Sequence, residues 1–479
     1  MSFEPKLCNK WIIKPLIECT IDKVISYGVV QPGKHDPKGV PLVRVNNITG
    51  NDFNLNNVLF ISKEIEEKFS RTRLVGGEVL LTLVGSTGQS MVVPKELSGW
   101  NVPRAIAVIR VKEDIGAEWV NLCLQTKEVA EYLDARANTT VQKTLNLKDV
   151  REIPILLPPP QLKSAIENVA LGISKKIQCN NKINQTLEQI AQALFKSWFV
   201  DFEPVKAKIA ALEAGGSQED ATLAAMTAIS GKDADTLAVF EREHPEQHAE
   251  LKATAELFPS AMHESELGEI PEGWLVSNLS EIALLNAESW SKKNAPEFVS
   301  YVDLANTKWG VINSIEMHQF SNAPSRARRI LKPHDTIVGT VRPGNGSYAY
   351  INKNGLTGST GFAVLTPKAR IFSEYIYLCV TSNESIERLA HLADGGAYPA
   401  VNADVVLSTQ CVLPVEREIR EALLKIFSLR TEVFFSYRAN ILSQNEMLSN
   451  IRDTLLPKLL SGEITLPEAE QAVSEAENV

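Results

Sequence analysis

Two short strings, FSRTR (69–73) and SRARR (325–329), each precede a glycine-bearing turn, GSTGQS (85–90) in one case and VRPGNGSYAY (341–350) in the other. Arginine presents a planar fork of donors that matches guanine O6 and N7 or a phosphate, and asparagine or glutamine matches adenine N6 and N7. Residues 291–351 carry eight Lys or Arg against four Asp or Glu. The side chains expected to touch bases or phosphates are therefore Arg71, Arg73, Ser86, Thr87, Gln89, Arg104 and Gln142 early in the chain. Their later counterparts are Arg326, Arg328, Arg329, Arg342, Asn345, Ser347, Tyr348 and Tyr398. Any one of these strings taken singly reads as an ordinary solvated loop, but recurrence at matching places favours binding.

Other chemistry is not spelled out. GSTG occurs at 85–88 and 358–361, but neither is followed by the Gly-Lys-Ser/Thr of a phosphate loop. The seven histidines form no paired ligand spacing; His244 and His248 are four apart with Pro245 between them. The six cysteines are scattered without a C-x-x-C and read as buried thiols. No nucleophile elbow or carboxylate cluster stands out, so the chain does not read as an enzyme, and no metal site is expected.

The 479 residues exceed one hydrophobic core and predict several domains. No apolar run is long enough to span a membrane and the start lacks a signal-peptide layout, so a cytoplasmic location is expected. The net charge of −9 is unevenly placed: residues 203–269 carry −9 and the stretch from Ser461 to Val479 carries −5, which leaves +5 on the remainder. An acidic average thus does not exclude a polyanionic partner.

The elements that position the candidate residues come in duplicate. EWVNLCLQTKEVAEYL (118–133) and EYIYLCVTSNESIERL (374–389) align without gaps at an offset of 256, which also carries Asn146 onto Asn402 and Leu157-Pro158 onto Leu413-Pro414. Upstream the register slips slightly, with WIIKPLIE (11–18) against WLVSNLSE (274–281) and EVLLTLVG (78–85) against DTIVGTVR (335–342). Each half reads as a compact α+β domain with β-rich runs and one short amphipathic helix, followed by a long helix.

In the first long helix Ile166, Val169, Ile173, Ile177, Asn180, Asn184, Leu187, Ala191, Leu194 and Trp198 form a coiled-coil seam. Ile419, Leu423, Ile426, Leu429, Val433, Asn440, Met447, Ile451 and Leu455 form the matching stripe, with Pro457 and Gly462 expected to end it. Packing about a pseudo-twofold axis predicts antiparallel helices, with Asn184 and Asn440 as residues that fix the register near the axis; a location at the wet margin of the seam is the alternative. The expected domains are 1–157 (α+β), 158–203 (long helix), 204–263 (acidic, Ala-rich, two or three short helices docked loosely or acting as a spacer), 264–413 (α+β), 414–461 (long helix) and 462–479 (acidic tail).

The junction VQKTLNLKDVREIPILLPPPQL (141–162), LFKSWFVDFEPVKAK (194–208), SELGEIPEGW (265–274) and LLPKLLSGEI (455–464) together resemble the specificity subunits of type I restriction-modification systems. The second junction departs from the pattern, because LPVER (413–417) keeps one proline where LPPPQ (157–161) has three. The resemblance implies two target-recognition domains, each reading one half of a bipartite site in double-stranded DNA for phage defence, held at a fixed separation by the two helices. It implies two methyltransferase subunits and two restriction subunits as partners, which would bring S-adenosylmethionine, ATP and Mg for adenine-N6 methylation and cleavage. This chain itself would bind no cofactor and no membrane. A coiled-coil adaptor whose α+β domains bind protein is the competing expectation.

Overall fold

A computed structural model describes residues 11–461 apart from 50, 51, 54, 56, 57, 86, 138–142, 292 and 394–398, together with 468 and 471. The chain divides into two compact units, Met1–Ile183 with Asn440–Val479, and Asn184–Ala439. Each unit holds one α+β domain and a segment of both long helices.

In the first unit Thr20–Tyr27, Ile106–Val111, Val79–Thr82 and Ser90–Val92 lie side by side, in that order, as an antiparallel sheet. Ile106, Ala107, Val108 and Ile109 are buried in succession on the second of these strands, as expected for a strand covered on both faces. Helices Ala117–Leu124 and Lys127–Asp134 pack Trp119, Val120, Cys123, Val129 and Leu133 with Leu16, Val79, Leu81 and Ile109 of the sheet side. A ribbon of Ile12–Pro15 against Pro154–Leu157 ties the two ends of the domain together.

The second unit repeats this arrangement. Ala283–Leu285, Phe362–Pro367, Thr336–Gly339 and Tyr348–Tyr350 form the sheet, Ser373–Thr381 and Asn383–Leu392 the helices, and Trp274–Asn278 with Gln410–Pro414 the ribbon. Buried hydrogen bonds recur at the same offset. Trp119 Nε1 donates to the Leu156 carbonyl at 2.6 Å, and Tyr375 Oη donates to the Val412 carbonyl at 3.2 Å. The single amphipathic helix expected in each domain is two, because Thr126 and Ser382 stop one helix and cap the next by accepting from Val129 N and Ser385 N. The second domain also has a mixed sheet of Glu316–Gln319, Phe298–Val302, Leu356–Ser359 and Ala327–Leu331, where the described residues of the first form short ribbons.

The fold is α+β with two long helices, Pro160–Phe199 and Arg417–Ser461. Pro160 is the first helical residue, a position where its fixed φ and missing N–H are harmless. Within the first unit Ile173 and Ile177 pack with Leu448, and Asn180 Nδ2 donates to Gln444 Oε1 and Asn445 Oδ1, both at 2.8 Å. Within the second unit Arg438 reaches Glu188 at 2.5 Å and Phe199 meets Phe427 edge-on at 5.0 Å. The pairings run antiparallel in both units.

Three expectations for the helices are corrected. Leu429 and Val433 face solvent; the second helix instead buries Leu424, Phe427, Thr431, Phe435 and Arg438, because Tyr350 and Tyr377 of its own domain pack on Phe435. Asn440 is exposed, so it is no buried seam residue, whereas Asn184 is buried. Pro457 does not end the helix: it runs on to Ser461 and anchors Leu459 in the first core, which outweighs one missing backbone bond.

The acidic segment forms four helices, Glu203–Glu213, Gln218–Ser230, Ala234–Glu243 and Pro245–Glu256, and is not loosely docked. Val205, Met226, Leu251 and Phe258 join the core around Trp198 and Trp274, with the Phe258 and Trp198 rings meeting edge-on at 5.4 Å. Its small alanines allow close helix packing while the carboxylates stay outside. Of the cysteines, Cys19, Cys123, Cys379 and Cys411 are buried as expected and burial pushes the Cys123 thiol up to about 12; Cys179 is exposed, and Cys8 lies outside the described residues.

Candidate nucleic-acid interface

In each sheet the third and fourth strands, in the order given above, are joined by a turn that the same backbone bonds brace. In the first domain Leu145 N donates to Leu83 O at 2.8 Å and Gly85 N to Lys143 O at 3.1 Å. In the second Val401 N donates to Thr340 O at 2.9 Å and Arg342 N to Pro399 O at 2.7 Å. Isolated bridges Val84↔Thr144 and Val341↔Ala400 complete the match. The turn at 85–89 is thus equivalent to that at 342–347, and Gly85, at φ 83°, is replaced by Arg342 at φ 47°. A bulky residue in the left-handed region carries strain that only fixed surroundings sustain.

In the first domain Arg71 and Arg104 are exposed, Thr87 and Gln89 half-buried. Gln89 closes its turn against Thr82: Thr82 N donates to Gln89 O at 2.9 Å, and Gln89 N donates to Thr82 Oγ1 at 2.9 Å. Ser86 and Gln142 lie outside the described residues. Arg73 is committed elsewhere: it makes an ion pair with buried Glu66, whose carboxyl is held below its ordinary range by the Arg73 hydrogen bond, and it reaches Glu67 at 3.2 Å. Asn101 donates to the same Glu66 at 3.1 Å.

In the second domain Arg326, Arg342 and Asn345 are exposed, and Tyr398 lies outside the described residues. SRARR is not a loop, because Ala327–Leu331 is a strand paired with Leu356–Ser359. Arg328 lies over the Phe320 ring at 4.7 Å, and Arg329 donates to Ser289 Oγ at 3.2 Å while burial lowers its pKa. Ser347 and Tyr348 are buried and support the turn instead of presenting side chains: Ser347 Oγ donates to the Leu304 carbonyl at 3.0 Å and accepts from Lys308 Nζ at 2.8 Å. Residue type misled here because tertiary packing around these strands, not the local string, decides which side chains stay exposed. Missed in the sequence were Lys308 and Trp309, on a small hairpin Thr307–Lys308 and Val311–Ile312 beside that turn; the string KWG, an aromatic before a turn glycine, was the signal.

The described residues show no group of three or more His, Cys, Asp or Glu that could hold a metal ion, and no described helix is long and apolar enough to cross a membrane. What the arrangement offers is donors and aromatic surface on braced turns. A chain 30% identical over 407 residues, 81% of this one and 86% of its own length, is the type I restriction enzyme HindI specificity subunit of Haemophilus influenzae. This chain belongs to the type I restriction enzyme specificity subunits. Another such subunit, EcoBI of Escherichia coli, is 32% identical over 181 residues, 36% of this chain and 38% of its own. A crystal structure of a type I restriction-modification S subunit from M. genitalium aligns with a TM-score of 0.42 at 13% identity, covering 95% of this specificity subunit and 99% of the other chain. No family model matches the chain.

Proposed function

We propose that this subunit supplies the sequence preference of a type I restriction-modification complex, each α+β domain reading one half of a bipartite site in double-stranded DNA. The observation that carries the reading is the equivalence of the two braced turns, at 85–89 and 342–347, on one repeated scaffold. Two similar supports with different side chains suit two half-sites of different sequence. Exposed Arg71, Arg104, Arg326, Arg342 and Asn345 are the side chains offered to DNA. Affinity made jointly with partner subunits accommodates the acidic average.

The partners are methyltransferase and restriction subunits, two of each, and they hold the S-adenosylmethionine, ATP and Mg chemistry; this chain contributes no catalytic group. Leu429, Val433 and Tyr437, each more than half exposed and four residues apart on the second long helix, form an apolar stripe suited to docking a methyltransferase. The test is to map methylated adenines in cells carrying the chain with its neighbouring methyltransferase, then to exchange residues 1–157 for another recognition domain. One half of the mapped site is expected to change. A change in both halves, or complex retention on duplex DNA that does not fall with salt, counts against the reading.

A further inference from the structure

Trp309 combines features that a loop built only for stability would lack. The residue is 47% exposed, and its backbone sits at φ 48°. Nevertheless the hairpin that carries it is fixed on two sides. Trp309 N donates to Gly346 O at 2.7 Å and Gly310 N to Tyr348 O at 3.0 Å, which stitches the hairpin to the turn at 342–347. The indole meets the Tyr348 ring edge-on at 6.0 Å and covers Gly346 so closely that a Cβ there would lie 2.5 Å from the ring. On the other side a Cβ on Gly310 would lie 2.8 Å from Tyr377 Oη and 2.9 Å from Arg438 Nη2, so the turn is seated on the ion pair of the long helices.

The adjoining turn exposes Arg342 and Asn345, and Arg342 is itself left-handed. Two strained bulky residues on adjoining, mutually bonded turns form a preformed surface of one aromatic face, one guanidinium and one amide. Those are the groups that pack on bases and bond their edges. We propose that Trp309 is a base-contacting residue for the second half-site, its indole packing on a base while Arg342 and Asn345 reach base edges beside it. This rests on the DNA-reading assignment above and names the surface that performs it in the second domain.

The test uses the complex with methyltransferase and duplexes bearing the mapped site. Trp309→Asn deletes the ring while asparagine tolerates the left-handed backbone. Cognate affinity is expected to fall roughly tenfold, with binding to a duplex scrambled in the second half-site unchanged, unfolding temperature not lowered, and partial recovery in Trp309→Phe. In the wild-type complex, 5-bromodeoxyuridine placed through the second half-site should cross-link to the peptide bearing Trp309. An unchanged cognate-to-scrambled ratio, or cross-links confined to other peptides, overturns the proposal while leaving the chain a DNA reader. Failure of the wild-type complex to distinguish cognate from scrambled duplex removes the DNA-reading assignment itself.

Discussion

Arg438 and Glu188, one on each long helix, meet at 2.5 Å where the arginine side chain is 7% exposed and the glutamate 16%. Tyr377 of the second domain donates to the other carboxylate oxygen at 2.7 Å. Burial opposes the arginine charge, and Tyr377 and Glu188 outweigh it. Arg438→Met leaves a carboxylate buried without its cation and is expected to cost about 3–5 kcal/mol in urea denaturation. The double variant Glu188→Leu with Arg438→Met should recover most of that loss, because two desolvated charges disappear together.

Asn184 is buried, and neither its Nδ2 nor its Oδ1 has a hydrogen-bond partner among the described residues. Asn180, one turn earlier and equally buried, is paired with Gln444 and Asn445. Asn184→Leu is therefore expected to stabilise the chain by about 1–3 kcal/mol, whereas Asn180→Leu should lower stability by roughly 1 kcal/mol by breaking made bonds. Equal effects in thermal denaturation would contradict the difference in pairing.

His334 Nδ1 lies 2.9 Å from Tyr350 Oη, which donates to Glu374 at 2.9 Å. Burial, followed by the Arg370 charge, lowers the imidazole pKa from 6.5, against opposing pulls from Glu374 and Glu432. Below 6.5 the unfolded chain takes up a proton that the folded chain resists, so stability present above that pH is lost as pH falls toward the folded value. His334→Asn, which accepts the φ of 77°, should flatten the fall of unfolding temperature below pH 6.5.

The repeat and the junctions were legible because they rest on local pattern: the 256-residue offset carries Trp119 onto Tyr375 and Thr126 onto Ser382, and both pairs do the same work in the fold. Exposure was not. Arg73 and Arg71 stand two apart in one string, yet only tertiary placement of Glu66 decides that Arg73 is an internal cation. Leu429 and Val433 continue the heptad stripe, but Tyr350 and Tyr377 on Phe435 turn the second helix so that both point outward. The left-handed backbone of Arg342 is set by the bonds that brace its turn, at the position Gly85 holds in the first domain, and no local string spells it out.

Charge reversal separates the arginines that face solvent from those that brace the domains. Arg71 and Arg326 are exposed. Arg71→Glu and Arg326→Glu should each weaken duplex binding and lower the salt slope by about one, with unfolding temperature unchanged. Arg73→Glu places a third carboxylate beside Glu66 and Glu67, so its loss of DNA binding should come with a loss of fold measurable by thermal denaturation. Arg329→Glu should also lower the unfolding temperature, since its side chain is partly desolvated against Ser289 with its Nε buried and without a partner among the described residues. If instead Arg73→Glu and Arg329→Glu alter the salt slope at unchanged stability, the division between bracing and reading arginines fails, and the DNA surface must extend over Ala327–Leu331.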